Sequence, residues 1–445
     1  MSERSAIVNV ANETPRIFLS AGEASGDHYG AALIQELQKT YPRAHFVGLG
    51  GAQMRSAGQQ QTVRAEEVAV MGITEILRHI PAILGHYRRL VKALRAHRPD
   101  VAVLIDFPDV NFRLAKHLHR AGVPVIWFVS PQLWAWKRSR LRWVQQRVDR
   151  MLVIFPFEEP FYRARDVDAT FVGHPLAELP PPAITREDFA LQYDLDPAKT
   201  WIALLPGSRW KELRANLPAL YELAANDLIH AQAAATTFDG DRFDQPQRPA
   251  THFEFLLPVA STIDRTRLGG LLEELRRDHL RYMGTPAREL RLTLVDDARE
   301  ALQHARASVV ASGTATVQAA VVGNPFVVVY RVSPLTFALA KKLIAYPAEW
   351  PPMRDRDGNL PIAMVNLLAG RRIVPELVQS KFTASNVAAA LAPLLDDSPQ
   401  REAQISALAD VHRALLPPGG YGSIQRVASA VQVALQQSLP DARKL

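Results

Sequence analysis

Short runs of β-branched and leucine residues recur along the chain, each closed by a glycine or aspartate and followed by apolar residues at helical spacing. The run 16–20 leads into Tyr29, Leu33, Ile34 and Leu37, and the run 101–105 into Phe112, Leu114, Ala115 and Leu118. The stretches 123–129, 151–155 and 170–172 read as further strands. Strands alternating with helices predict an α/β fold built on a parallel sheet.

At Leu179 the pattern breaks into LPPPAITRED, whose three successive prolines stop regular structure and suit a linker or the entry into a new helix. It then restarts, with strands expected at 201–205, 254–257, 292–295, 308–311 and 326–330. Two α/β domains follow, residues 16–178 and 199–375, and then a helical tail, 376–445. In that tail Val387, Leu391 and Leu394, and later Val427, Val431 and Leu435, keep helical spacing without strand signals. The polar stretch 236–250, TTFDGDRFDQPQRPA, reads as an exposed insertion.

Composition narrows the picture. At 445 residues the chain exceeds what one hydrophobic core serves, and 48% hydrophobic with 22% charged residues is ordinary for a folded soluble protein. The absence of cysteine excludes disulfides and thiolate metal sites. The first fifteen residues hold no apolar stretch of signal-peptide length, and Gly313, Gly323, Asn324 and Pro325 break the longest apolar region, 309–330, so no signal segment or spanning helix is expected. A net charge of +7 favours anionic partners: nucleic acid, a phospholipid surface or phosphorylated substrates.

Three turns have the form of an anion site, with small residues where a strand hands over to a helix. They are Gly22-Glu23-Ala24-Ser25-Gly26, Pro206-Gly207-Ser208-Arg209 and Ala311-Ser312-Gly313-Thr314-Ala315-Thr316. None spells a P-loop or GxGxxG. In LLPGSR the glycine admits close backbone approach and Arg209 can fork two phosphate oxygens, although an ordinary surface turn reads the same way.

The motifs SAGEASGD, VMGITEIL, DFPDVNFRLA, VSPQLWAW, FVGHPL, LLPGSR, ASGTAT and NLLAGRRIVPEL stand in that order between about residues 16 and 380. Together they closely resemble the lipid-A-disaccharide synthase family. The resemblance implies a GT-B glycosyltransferase, two Rossmann-like domains facing a cleft, with a UDP-sugar in the C-terminal one and SAGEASGD on the acceptor side. It implies transfer from UDP-2,3-diacylglucosamine to 2,3-diacylglucosamine 1-phosphate, giving a β-1,6-linked disaccharide and UDP at the cytoplasmic face of the inner membrane of Gram-negative bacteria. No metal or other cofactor is expected; a homodimer is compatible with the reading. Another UDP-sugar GT-B enzyme, of the UDP-N-acetylglucosamine epimerase or peptidoglycan glycosyltransferase type, is the alternative enzyme.

On that reading Asp109 is the candidate base, standing beyond the strand VAVLID, with Glu23 and His174 as further catalytic candidates and Asp106 either an alternative base or a cap of the next turn. His174 reads equally as a structural histidine. Gly207, Ser208, Arg209, Gly313 and Thr314 would hold the nucleotide phosphates, and the match to NLLAGRR extends substrate binding to Asn366 and Arg371. One departure concerns Gln318, which stands where GT-B sites commonly carry a ribose-binding glutamate; an amide still accepts one hydrogen bond. Asp166 and Asp168, like Asp355 and Asp357, read as solvated loop acids rather than a metal pair, and His117 and His119 fall on different sides of a helix. The segment 349–359, EWPPMRDRDGN, is longer than the family pattern and has no functional reading.

Ile80, Ile83, Leu84, Tyr87, Leu90, Val91 and Leu94 keep helical spacing among Arg88, Arg89, Lys92 and other bases, without one acid. This composition suits a basic helix on an anionic membrane, and also an outer helix packed on the sheet. A second stretch, WAWKRSRLRWVQQR, sets Trp134, Trp136 and Trp143 among arginines, as single-stranded nucleic-acid sites do. A non-enzymatic basic nucleic-acid-binding α/β protein is therefore the alternative outside enzymes, but no RRM, KH or helix-turn-helix signature accompanies the stretch, so nucleic acid is not the expected partner.

Overall fold

The computed structural model describes residues 14–69, 76–225, 253–283, 292–344, 346–347, 353–420 and 422–437, the side chains of 68–69, 76–83 and 283 excepted. The insertion 236–250 lies outside these residues, as does 349–352 of the second long segment. The chain divides into two compact units: Met1–Glu178 with Leu343–Pro351 and Leu415–Leu445, and Leu179–Lys342 with Pro352–Ala414. The first boundary falls where the proline run begins.

In the first unit seven strands form a sheet in the order β3-β2-β1-β4-β5-β6-β7. They are β1 (Arg16–Ala21), β2 (His45–Gly50), β3 (Gln60–Arg64), β4 (Val101–Ile105), β5 (Val125–Phe128), β6 (Arg150–Val153) and β7 (Ala169–Phe171). The second unit orders six strands as β10-β9-β8-β11-β12-β13: β8 (Thr200–Leu205), β9 (Phe253–Pro258), β10 (Leu292–Val295), β11 (Ala307–Ala311), β12 (Phe326–Tyr330) and β13 (Glu376–Val378). Every pairing is parallel. These are two Rossmann-like sheets of the GT-B type, with helices at the C-terminal end.

Helices on both faces explain why the central strands read as unbroken apolar runs rather than alternating ones. All five side chains of β4 and β11 are buried. In the second unit Ile202, Leu204, Val309 and Val327 pack with Leu217 and Leu220 of helix Trp210–Ala225 and with Val387 and Leu391 of helix Ala384–Leu395. Each large aliphatic side chain so buried contributes about 1.5–3 kcal/mol.

Three strands escape the sequence pattern. Two, β2 and β3, carry glycine or polar residues, HFVGLG and QQTVR, and β13 is three residues long. The tail therefore opens on an edge strand, not a helix. The helices Ala384–Leu395, Pro399–Leu415 and Ser423–Gln437 follow. The last belongs to the first unit, where the carboxylate of Glu178 accepts from the backbone N–H groups of Gly422 and Ser423 at 3.2 and 2.7 Å.

Candidate active site

Strand order fixes where ligands can bind. In an open parallel sheet the crevice forms where the order reverses, beyond the carboxyl ends of the two strands concerned. The reversals fall between β1 and β4 and between β8 and β11. SAGEASGD leaves β1 and DFPD leaves β4, paired side by side as Ser20 with Leu104 and Ala21 with Ile105. LLPGSR leaves β8 and ASGTAT leaves β11, with Val310 beside Leu205. Four of the motif turns thus occupy the two switch points.

In the first unit the turn after β4 is strained, Asp106 and Phe107 having φ of 45° and 48°. Asn111, fully buried, holds it by donating its amide to the carbonyls of Ser20, Ile105 and Asp106 at 3.3, 3.3 and 2.7 Å, while its Oδ1 accepts from Ser20 Oγ at 2.7 Å. Gly22 makes room for Phe107, whose ring would lie 2.5 Å from any Cβ there. This turn presents Asp109 in the first turn of helix Pro108–Arg120, where the helix dipole favours an acid. Its side chain is 74% exposed and pairs with Arg140, Nη1 to Oδ1 2.9 Å. Glu23, also exposed, precedes the helix Ala24–Thr40.

Two further acids of this unit are buried, one of them, Asp27, from SAGEASGD. Asp27 is buried and accepts from the backbone N–H groups of Gly51, Gln53 and Met54, pinning the helix Ala52–Ser56. Glu158 accepts from Ser130, Trp134 and the Phe155 amide; burial, with Asp106 adding to it, pushes its carboxyl up to about 7. His174 is 2% exposed, and burial lowers its imidazole to about 3. Its Nδ1 accepts from Leu176 N at 3.2 Å, which leaves the proton on Nε2. A neutral ring packed between Tyr29 and Phe155 fits the structural reading of this residue.

In the second unit Gly207 turns at φ 127°, and a Cβ there would meet Glu212 at 2.5 Å. Glu212 reaches back to accept from Ser208 N at 3.1 Å and Arg209 N at 3.3 Å, the carboxylate arm of a capping box. The turn is thus held by its own acid. Ser208 and Arg209 are exposed, with Arg209 4.0 Å from Glu212. Gly313 and Thr314 stand exposed at the N-terminus of helix Thr314–Val322, and Gln318 is half-buried one turn on.

The predicted ligands in NLLAGRR part company. Asn366 is fully buried and uses all of its amide: Nδ2 donates to Val374 O and Glu376 Oε1 at 3.0 and 2.8 Å, and Oδ1 accepts from Ile373 N and Val374 N at 2.7 and 3.0 Å. Two donors and two acceptor sites are thereby spent, with none left for a substrate. Glu376 also takes the amides of Ile362 and Ala363 and the guanidinium of Arg372. Arg371 is exposed beside this knot. Among the described residues no group of three or more His, Asp or Glu side chains is arranged to hold a metal.

Comparison with known proteins decides what this frame belongs to. The model of the family described as lipid-A-disaccharide synthetase matches residues 17–238 and 271–416. The lipid-A-disaccharide synthase of Acidobacterium capsulatum is 48% identical over 436 residues, 96% of this chain and 98% of that one. That of Koribacter versatilis is 46% identical over 401 residues, 90% and 93% of the two chains. The chain belongs to the lipid-A-disaccharide synthase family.

As a member it is a glycosyltransferase of lipid A biosynthesis. Solved structures share its fold alone. The glycosyltransferase of kitacinnamycin is similar at TM-score 0.55 and 16% identity, over 95% of this chain and 99% of that one. A UDP-N-acetylglucosamine 2-epimerase from Neisseria meningitidis is similar at TM-score 0.52 and 11% identity, over 95% and 100%. The epimerase alternative therefore keeps the fold and loses the family.

The basic segments of this synthase divide their residues between packing and solvent. In helix Ile76–Ala96, Leu90, Val91 and Leu94 are buried, and Tyr87 lies against His117 with ring centroids 6.0 Å apart. Leu84, Arg88 and Lys92 are exposed, and Arg89 pairs with Glu67 at 2.9 Å; the side chain of Ile83 lies outside the described residues. In WAWKRSRLRW, Trp134 is buried, and Trp143 packs on Phe112 with Arg140 and Arg147 over its face. Those two arginines are engaged with the protein's own rings, and Arg140 serves Asp109.

Proposed function

We propose that the chain transfers 2,3-diacylglucosamine from UDP to a hydroxyl of 2,3-diacylglucosamine 1-phosphate, with inversion, giving the β-1,6-linked disaccharide 1-phosphate and UDP. Asp109 takes the hydroxyl proton as the oxygen bonds to the anomeric carbon and the bond to UDP breaks. Arg140 orients that carboxylate. The charge left on UDP is met by Arg209 and by the N–H groups at the start of helix Thr314–Val322. What carries this reading is the coincidence of four family motifs with both sheet reversals. Incubation of purified protein with the two acylated sugars tests it. UDP and disaccharide should appear in equal amounts, and UDP release without disaccharide would refute it.

The acceptor and donor are amphiphiles, so the enzyme works against a lipid surface. Exposed Leu84, Arg88 and Lys92 on helix Ile76–Ala96 support peripheral contact with the anionic inner-membrane face through an apolar anchor and basic neighbours. Arg88→Glu with Lys92→Glu should reduce sedimentation with phosphatidylglycerol vesicles at low salt; unchanged binding would move the contact elsewhere.

A further inference from the structure

Beyond β5 the backbone turns at Val129 with φ 63°, the one β-branched residue at positive φ among the described residues. Such a turn is strained for a β-branched residue and persists only where its surroundings enforce it. Val129 itself donates to Leu152 O and accepts from Trp127 Nε1, both at 3.1 Å, and the residues after it are held by the helix Glu158–Arg163. Glu158 Oε1 accepts from Ser130 Oγ at 2.6 Å and from Trp134 Nε1 at 3.1 Å, and Oε2 accepts from Phe155 N at 3.3 Å. One turn on, Tyr162 donates its hydroxyl to Pro131 O at 2.9 Å. One short helix thus grips Ser130, Pro131 and Trp134.

The gripped segment adjoins the turn that carries the acids. In the sheet β5 pairs with β4, and Asp106 N donates to Phe128 O at 2.9 Å, so the strained turns after β4 and β5 stand next to each other. We propose that Glu158 is a positioning residue of the transfer reaction: through Ser130 and Trp134 its carboxylate holds segment 129–136 in its strained form and so sets the geometry beside Asp106 and Asp109. This rests on the reading above of that sheet end as the acceptor side.

A carboxylate is a costly choice for mere support, since burying one is expensive unless every lone pair is used. An amide has one acceptor oxygen where the carboxylate uses two, so it cannot keep the Ser130, Trp134 and Phe155 bonds together: its NH2 would confront a donor on one side or the other and force segment 129–136 to shift. The charged and titratable groups facing Glu158 are Asp106, from the end of β4, and Tyr162, from its own helix. His174 is one ring removed, against Phe155 at 5.5 Å. On protonation the Glu158 O–H takes Ser130 Oγ as its acceptor, which frees the serine hydrogen to point elsewhere. The donor direction of Ser130 is therefore tied to the charge on Glu158.

The test uses the full-length chain with both acylated substrates in detergent micelles, and follows kcat and KM from about pH 5.5 to about 8.5 together with UDP affinity. Glu158→Gln should lower kcat about ten- to a hundredfold, leave UDP affinity within about twofold, and erase the inflection of kcat near neutral pH. Ser130→Ala should lose part of the same factor, and the double variant should be little worse than Glu158→Gln alone, because Ser130 is one of the two side chains through which Glu158 acts. Wild-type kcat with an unchanged inflection in Glu158→Gln, or losses that multiply in the double variant, would overturn the proposal. Should Glu158→Gln unfold, Ser130→Ala and Trp134→Phe each remove one hydrogen bond and no charge; wild-type pH profiles in both would equally overturn it. Turnover of the wild type in the same assay checks the functional reading separately.

Discussion

Asn366→Asp distinguishes a scaffold residue from a ligand. The substitution keeps shape and both acceptor bonds, from Ile373 N and Val374 N, but replaces the two donors that reach Val374 O and Glu376 Oε1. Two lost hydrogen bonds account for about 1–3 kcal/mol. The new carboxyl also faces that of Glu376, 2.8 Å from the atom it replaces, in a site where Asn366 is fully buried and the Glu376 side chain 2% exposed. Repulsion there is relieved only by protonating one of the pair, which brings the total to about 3–5 kcal/mol at neutral pH. For a unit of this size that lowers the melting temperature by roughly 6–20 °C. Thermal unfolding at pH 7.5 and pH 5 measures it, and the deficit should shrink at the lower pH as the pair takes up a proton. UDP affinity, measured by calorimetry well below the transition, should stay within about threefold of wild type. A variant that melts normally yet loses UDP affinity more than about tenfold would place Asn366 on the ligand and refute the argument.

Asp109→Asn should cut turnover about 10²–10⁴-fold while leaving UDP affinity unchanged, since Asp109 and the proposed nucleotide turns belong to different units; near-normal turnover in a steady-state assay would remove it as the base. Arg209→Ala should weaken donor binding about ten- to a hundredfold, whereas Glu212→Gln, which keeps an acceptor for Ser208 N and Arg209 N but removes a negative charge from the turn, should strengthen UDP binding; calorimetry reads both. Stability against pH should reflect two buried groups of opposite sign. Glu158, raised from 4.5 to about 7, contributes stability that is full below pH 4.5 and lost as pH rises through about 7. His174, lowered from 6.5 to about 3, contributes stability that is full above pH 6.5 and lost as pH falls toward about 3. The two slopes oppose between those unfolded values, so His174→Asn should turn a flat stretch of urea midpoints into one that declines with pH, by up to about 1.4 kcal/mol per unit; an unchanged slope would show that the imidazole is not buried neutral.

Legibility followed unbroken apolar sequence: β2, interior but carrying His45, Gly48 and Gly50, escaped it. Strands buried on both faces, such as β4 and β12, announce themselves as apolar runs, and their predicted limits, 101–105 and 326–330, coincide with the observed ones. Edge position alone does not hide a strand, since β10 at a sheet edge is expected and found at 292–295; β3 and β13 escape because they carry the polar or short sequences QQTVR and ELV. The motif turns were legible because glycine and small residues mark a tight handover. Their meeting at two switch points was not, because strand order is a long-range property that no local spacing encodes.

The same contrast applies to side chains within the motifs. Asn111 in DFPDVNF, Asp27 in SAGEASGD and Asn366 in NLLAG look, as text, as chemical as Asp109, yet two amides and a carboxylate of this group are buried and committed to backbone partners, while Asp109 is the one exposed. A motif preserves the frame along with the reagent, and only burial tells them apart. Glu158 sits between these cases. It is buried like a frame residue, but it stays ionisable near neutral pH and it holds the strained turn beside Asp106, so its role has to be read from the pH dependence of turnover rather than from folding.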